Sequence, residues 1–263
     1  MNPYLIFILT ALIAGWLVNL IVSLLEVASL QTELPLELNK FYDQEKYRKS
    51  QQYTKVKAKF SQLSDSIMLI VTLIFILAGG FNFIDLAARR FGLGTITTGL
   101  LFIGGVLLLS SLASLPFSVY STFVIEERFG FNKTSPKTFF LDLLKAVLLS
   151  LVLGTPLLAA LLWFFQSAGS TAWLYCWGAM ILFILLLQFL APVLIMPLFN
   201  KFIPLEAGAL RDAITQYAEE QHFAIQGIYT MDGSKRSTRL NAFFTQYAEE
   251  QHFAIQGIYT MDG

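Results

Sequence analysis

The fold class this sequence predicts is an α-helical polytopic membrane protein, with about five transmembrane helices followed by the beginning of a soluble α+β domain. Three observations carry it. Charged residues make up only 14% of the chain, against about 25% in soluble domains. Uncharged apolar runs recur at about 20 residues, the length a membrane-crossing helix needs. Beyond Pro204 the pattern changes to amphipathic helical spacing and then to short strand-like runs.

The spans are expected at residues 4–25, 66–86, 99–119, 146–165 and 172–196. Tyr4–Leu25 follows Met1-Asn2-Pro3, which carries no Lys or Arg, and it is longer than the apolar core of a signal peptide. It is therefore read as a retained membrane helix. Ala146–Asn200 holds no charge and is too long for one helix. The polar break Gln166–Thr171 divides it into a hairpin. Pro156 and Pro192 fall inside its two helices, where a membrane tolerates kinks.

Basic residues set the expected orientation. The first connection carries seven: Lys40, Lys46, Arg48, Lys49, Lys55, Lys57 and Lys59. The fourth carries none. The positive-inside rule then puts the odd connections and the tail in the cytoplasm and the N-terminus outside. Arg89-Arg90 on the second connection is the discordant pair. The Tyr/Lys/Gln-rich part of the first connection, Phe41–Phe60, is expected to be an amphipathic helix along the membrane surface, docked on the cytoplasmic part.

After the fifth span, Pro197–Leu205 is a proline-bounded exit from the membrane. Leu210, Ala213, Ile214, Tyr217 and Ala218 share one helical face. Ala224–Met231 and Leu240–Thr245 read as strands, with the basic loop Ser234–Arg239 between them. Thr215–Gly233 and Thr245–Gly263 are identical, residue for residue. Structural repeats diverge at exposed positions. Identity over such positions implies a recent duplication or an error in sequence assembly, and the error is the expectation. One helix and one strand cannot bury a core of their own, so the second copy is not expected to pack as a unit like the first.

Zero net charge gives no basic field for nucleic acid. The one cysteine, Cys176, excludes an internal disulfide and CxxC zinc patterns. Ser118, Ser121 and Thr122 are read as helix-packing hydroxyls, with no base to activate them. Glu126 and Glu127 end an apolar run. They are read as interfacial caps paired with Arg128 or Lys133, a chamber-lining role being the alternative.

The connection Leu115–Lys145 (LPFSVYSTFVIEERFGFNKTSPKTFFLDLLK) is long, charged and rich in Phe. Together with Pro197–Ala213 and Met231–Thr245 (MDGSKRSTRLNAFFT), it closely resembles the type I CAAX prenyl proteases, integral-membrane zinc metalloendopeptidases. The resemblance covers residues 1–245. It implies a membrane domain over 1–204, the start of a zincin-like peptidase domain over 205–245, and the duplicated stretch over 245–263. It also implies that Asn241, Ala242, Phe243 and Phe244 form a strand that takes a substrate peptide by β-addition. The implied cofactor is zinc. The implied partners are a peptide or lipidated peptide and membrane lipid, with no nucleic acid.

The sequence departs from the family at the zinc motif. Its two histidines, His222 and His252, each lie in Gln-His-Phe, without the HExxH spacing that holds zinc and its general base. The expectation is an N-terminal part that stops short of the zinc site, binds no zinc and is inactive, with no catalytic or metal-ligating residue in this chain. A non-catalytic membrane scaffold or transporter-like bundle is the alternative. The expected location is a multi-pass membrane protein, in the inner membrane if the source is bacterial.

Overall fold

The computed structural model describes residues 2–30, 34, 43–222, 225–232, 236, 242–247 and 252–258. Among the described residues, five helical segments are long and apolar enough to cross a membrane: Pro3–Ser29, Gln44–Leu77, Thr95–Glu126, Pro136–Ser167 and Gly169–Phe199. The protein is a multi-pass integral membrane protein. Large apolar side chains such as Phe7 and Leu182 are exposed on these helices, as expected of surfaces solvated by lipid. The chain divides into two compact units, Met1–Gly130 and Phe131–Gly263.

In the first unit, α1 (Pro3–Ser29) starts at Asn2, whose side chain accepts the Tyr4 N–H, with Pro3 in the first turn; both are start signals with a physical basis. α2 (Gln44–Leu77) is capped by Asp43, which accepts from the N–H groups of Glu45 and Lys46. α2 is one continuous helix, and this corrects two expectations. The Phe41–Phe60 stretch is not a separate surface helix, since from Gln44 it runs straight into the second span. Nor does that span reach residue 86. No Gly or Pro interrupts residues 44–77, so nothing breaks the helix before Gly79-Gly80.

Gly79 adopts a left-handed φ of 74°, which favours glycine. A Cβ at Gly80 would collide with the Phe75 ring. The chain then turns into α3 (Gly80–Arg89), which buries Ile84 and Ala88 and packs on α4 (Thr95–Tyr120). Arg89 pairs with Asp85 at 2.8 Å, so one of the two discordant cations has its charge balanced locally.

α4 contains Pro116 and passes into a π-helical turn, Ser121–Glu126. The third span is thus longer than 99–119. Ser118 Oγ donates back to the Ser114 carbonyl at 3.4 Å, a local helix bond in keeping with a packing hydroxyl.

In the second unit, α5 (Pro136–Ser167) is capped by Ser135, which accepts the Thr138 N–H. It holds Pro156 and forms the expected hairpin with α6 (Ala172–Leu190). Pro192 sits in a second π turn, Ala191–Ile195, and α7 (Met196–Phe199) completes the exit. The fourth helix begins ten residues before the expected 146, at Pro136.

A four-stranded sheet follows, in the order β1-β2-β4-β3. The proline-bounded exit contains β1 (Lys201–Pro204), antiparallel to β2 (Ile225–Asp232), with Lys201 opposite Asp232. The amphipathic helix α8 (Ala209–Glu220) packs on β2, where Ala218, Ile228 and Met231 form a small buried core. β3 (Ala242–Tyr247) and β4 (His252–Ile258) are antiparallel, and β4 runs parallel to β2.

The duplicated stretch does not repeat the fold of its first copy. Thr215–Tyr217 lies in helix α8, while the identical Thr245–Tyr247 lies in strand β3. His222 is a turn residue with φ 58°, while the identical His252 opens β4. Even the two matching strands pair out of step, Ile228 standing opposite Ile255. Intrinsic propensity differs by less than about 1 kcal/mol per residue between states, so the surroundings choose the conformation.

Candidate substrate strand and its polar anchor

Asn241 lies outside the described residues. Ala242, Phe243 and Phe244 lie in β3, opposite Ile258, Gln256 and Ile255 of β4, with an irregularity in register between Ala242 and Phe243. β3 is the last strand in the sheet order. Among the described residues, one side of its backbone therefore has no neighbouring strand, and such an edge can accept an extended peptide.

Arg236 is the one described residue between β2 and β3, and it is tied to the rest of the second unit by polar contacts. Its Nε and Nη2 donate to the Asp142 carboxylate at 2.7 and 3.0 Å, and its Nη1 donates to Asn200 Oδ1 at 3.1 Å. The Arg236 carbonyl accepts from the Lys133 N–H and from Thr134 Oγ1, both at 3.1 Å. Asp142 is on α5, Asn200 follows α7, and Lys133 and Thr134 lie in the loop before α5. One arginine thus ties together the three sequence blocks Leu115–Lys145, Pro197–Ala213 and Met231–Thr245.

The loop is shaped for this contact. Asn132 Oδ1 accepts the Thr134 N–H at 2.7 Å, folding a local turn of the kind Asn favours. Lys145 adds a second cation, 3.8 Å from Asp142. Its Nζ also donates to the Leu198 carbonyl at 3.1 Å and lies 5.7 Å from the Phe199 ring centroid.

The Arg236 and Asp142 side chains are 28% and 21% exposed. Partial burial and the two-pronged geometry make this pair stronger than a solvated surface pair, contributing about 1–2 kcal/mol. The loop Ser234–Arg239 was legible as basic, but Arg236 was not singled out, and Asp142 and Asn200 were missed. A signal was available. Asp142 is the sole acid between Arg128 and Leu205, and a lone acid beside a long apolar run calls for a cationic partner.

In the first unit, Glu126 accepts from Tyr53 Oη at 3.3 Å and lies 3.7 Å from Lys57 Nζ. The expected partners, Arg128 or Lys133, are corrected to these two residues of α2. α2 continues upward alongside the third span, which brings its side chains to the level of Glu126.

Among the described residues, no group of three or more His, Cys, Asp or Glu side chains could hold a metal ion. His222, exposed in a turn after α8, belongs to no such group. The described donor set does not fit a zinc ion.

Comparison with known proteins agrees with this architecture. A family profile described as CAAX prenyl protease N-terminal, five membrane helices, matches residues 23–201. The chain is 40% identical over 228 residues to a Schizosaccharomyces pombe protein called probable CAAX prenyl protease 1, covering 82% of this chain and 48% of that one. It is 38% identical over 228 residues to CAAX prenyl protease 1 of Saccharomyces cerevisiae, covering 81% and 49%. The crystal structure of S. mikatae Ste24p superposes with a TM-score of 0.86 at 34% identity, over 97% of this chain and 62% of that one. The chain spans about half the length of the curated relatives it matches.

Proposed function

Because this chain belongs to the CAAX prenyl protease 1 family, we propose that it forms the membrane region and the beginning of the peptidase region of a zinc metalloendopeptidase acting on CAAX-type or membrane-associated peptides. Residues Asn241–Phe244 are its peptide-binding strand. The observations that carry this reading are the edge position of β3 among the described strands and the Arg236 anchor, where the three family blocks meet. An edge strand held in place can align a peptide through backbone hydrogen bonds. The same reading puts the N-terminus on the outer side and the basic first connection in the cytoplasm.

In such an enzyme, zinc supplies an activated water for attack on the peptide carbonyl. The residues of this chain do not carry the HExxH spacing, and no catalytic step is assigned to them. As written, the chain is proposed to hold a peptide weakly, to bind no stoichiometric zinc and to cleave nothing. Metal analysis of the purified chain, with a peptidase assay on a farnesylated CAAX peptide, tests this. One zinc per chain with chelator-sensitive cleavage would overturn it.

A further inference from the structure

The hairpin of α5 and α6 carries two marks of depth within the second unit. At one end Lys145 Nζ donates to the Leu198 carbonyl at 3.1 Å. At the other, Cys176 Sγ lies 3.9 Å from the Leu161 carbonyl oxygen, and the Phe164 and Tyr175 rings stack at 5.6 Å. Between the two marks neither helix carries a charged residue. Around and beyond the second mark lie a collar of aromatic residues and the polar, uncharged tip Gln166–Thr171. Trp163, Trp173 and Trp177 of this collar are 53%, 66% and 62% exposed.

The separation of the marks follows from helix geometry. Leu161 is 16 residues after Lys145, about 24 Å along the helix. The Lys145 stem reaches about 6 Å further, toward Leu198. Leu198 is 22 residues after Cys176, at most about 33 Å along the helix. The two paths agree on about 30–33 Å, or about 28–31 Å across a membrane at the usual tilt of about 20°. The hydrocarbon core of a bilayer is about 30 Å thick. The Lys145 amine therefore lies at one boundary of that core and the Leu161–Cys176 level at the other. The three indoles start within about 5 Å of the second boundary.

We propose that this collar is a lipid-interface anchor, in which Trp163, Trp173 and Trp177 occupy the carbonyl and headgroup layer of phospholipids in the leaflet farther from β1. An indole suits that layer because its ring is apolar while its N–H needs a polar acceptor. Lys145 holds the opposite boundary by extending its amine to it. The hairpin is thereby fixed at both ends. Asp142, paired with Lys145 and Arg236, is held at the membrane surface as a result. The inference goes beyond the peptidase reading and does not depend on it.

Quenching of tryptophan fluorescence by dibrominated phosphatidylcholines tests it. The chain has four tryptophans, and W16F in the full chain, reconstituted in vesicles, leaves the three of the collar. Quenching is expected to be strongest with bromines at carbons 6 and 7 of the acyl chain, and to fall with bromines at 9 and 10 and again at 11 and 12. W173F/W177F in the otherwise unaltered chain should remove more of the shallow quenching than of the deep quenching, and provides a readout even if W16F fails to fold. Strongest quenching by the deepest bromines, or equal loss at every depth in W173F/W177F, would overturn the proposal by placing the indoles inside the hydrocarbon. Absence of quenching at every depth would also overturn it, by showing that protein and not lipid covers the collar.

Discussion

The Arg236 guanidinium grips the Asp142 carboxylate with two parallel hydrogen bonds of 2.7 and 3.0 Å across 94 residues of sequence. This contact joins Arg236 to the first turns of α5. Because Arg236 also donates to Asn200, removing it releases two elements from a third.

The first prediction concerns that contact. Arg236→Gln and Asp142→Asn are each expected to destabilise the second unit by about 1–2 kcal/mol, and Arg236→Lys by less, since an ammonium cannot form the two-pronged pair. The double variant should cost less than the sum of the singles. Thermal unfolding in detergent measures all four. Full additivity would show that the two side chains are not coupled.

A second prediction concerns Tyr53, which is 7% exposed and makes both the hydroxyl bond to Glu126 and the ring contact with Phe129. Tyr53→Phe removes the hydroxyl alone and is expected to cost about 1 kcal/mol. Tyr53→Ala also empties a buried site and is expected to cost about 3–5 kcal/mol. Equal effects in a denaturant titration would mean that the ring contact contributes nothing.

The start of α2 should respond to pH. The Asp43 carboxyl is held below its ordinary value of 3.8 by the backbone N–H of Lys46 and then by that of Glu45. A group whose folded pKa is depressed stabilises the fold above its unfolded pKa and loses that effect as pH falls through the folded pKa. Hydrogen exchange at residues 44–48 is therefore expected to accelerate, beyond the intrinsic pH trend, below about pH 4. Asp43→Asn keeps a cap that does not titrate, and its exchange should follow the intrinsic trend only. The same excess acceleration in both proteins would exclude Asp43 as its source.

Orientation is tested by single cysteines at Gln51 and Ser170 in a Cys176→Ser background. With the first connection in the cytoplasm, an impermeant thiol reagent applied from outside should modify the cysteine at 170 and spare the one at 51. Modification at 51 from outside would reverse the proposed topology.

The five spans were legible because lipid imposes a simple rule: a long uncharged run must become a helix to satisfy its backbone. The helix α8 and strand β2 were legible from periodicity, within a residue or two of their ends. β1 was not, because four residues ending in a proline carry no period, and the strand exists only through its pairing with β2. The strand that holds Phe243 and Phe244 was expected from its composition and from the family blocks, and β-addition implied an edge, whereas its pairing with β4 was not expected.

The sequence by itself determined the membrane class, the number of spans, the family and the helix break at residues 166–171, because hydrophobicity and charge act locally along the chain; the break at Gly79-Gly80 was not read from it. The tertiary structure decided the rest. Thr215–Tyr217 is helical and Thr245–Tyr247 extended, although the two are identical, because packing on β2 and pairing with β4 outweigh a small intrinsic preference. The partners of Glu126 and Arg236 were likewise set by which helices and loops lie side by side. A charge in the sequence states a need for a counter-charge, and only the fold selects which residue meets it.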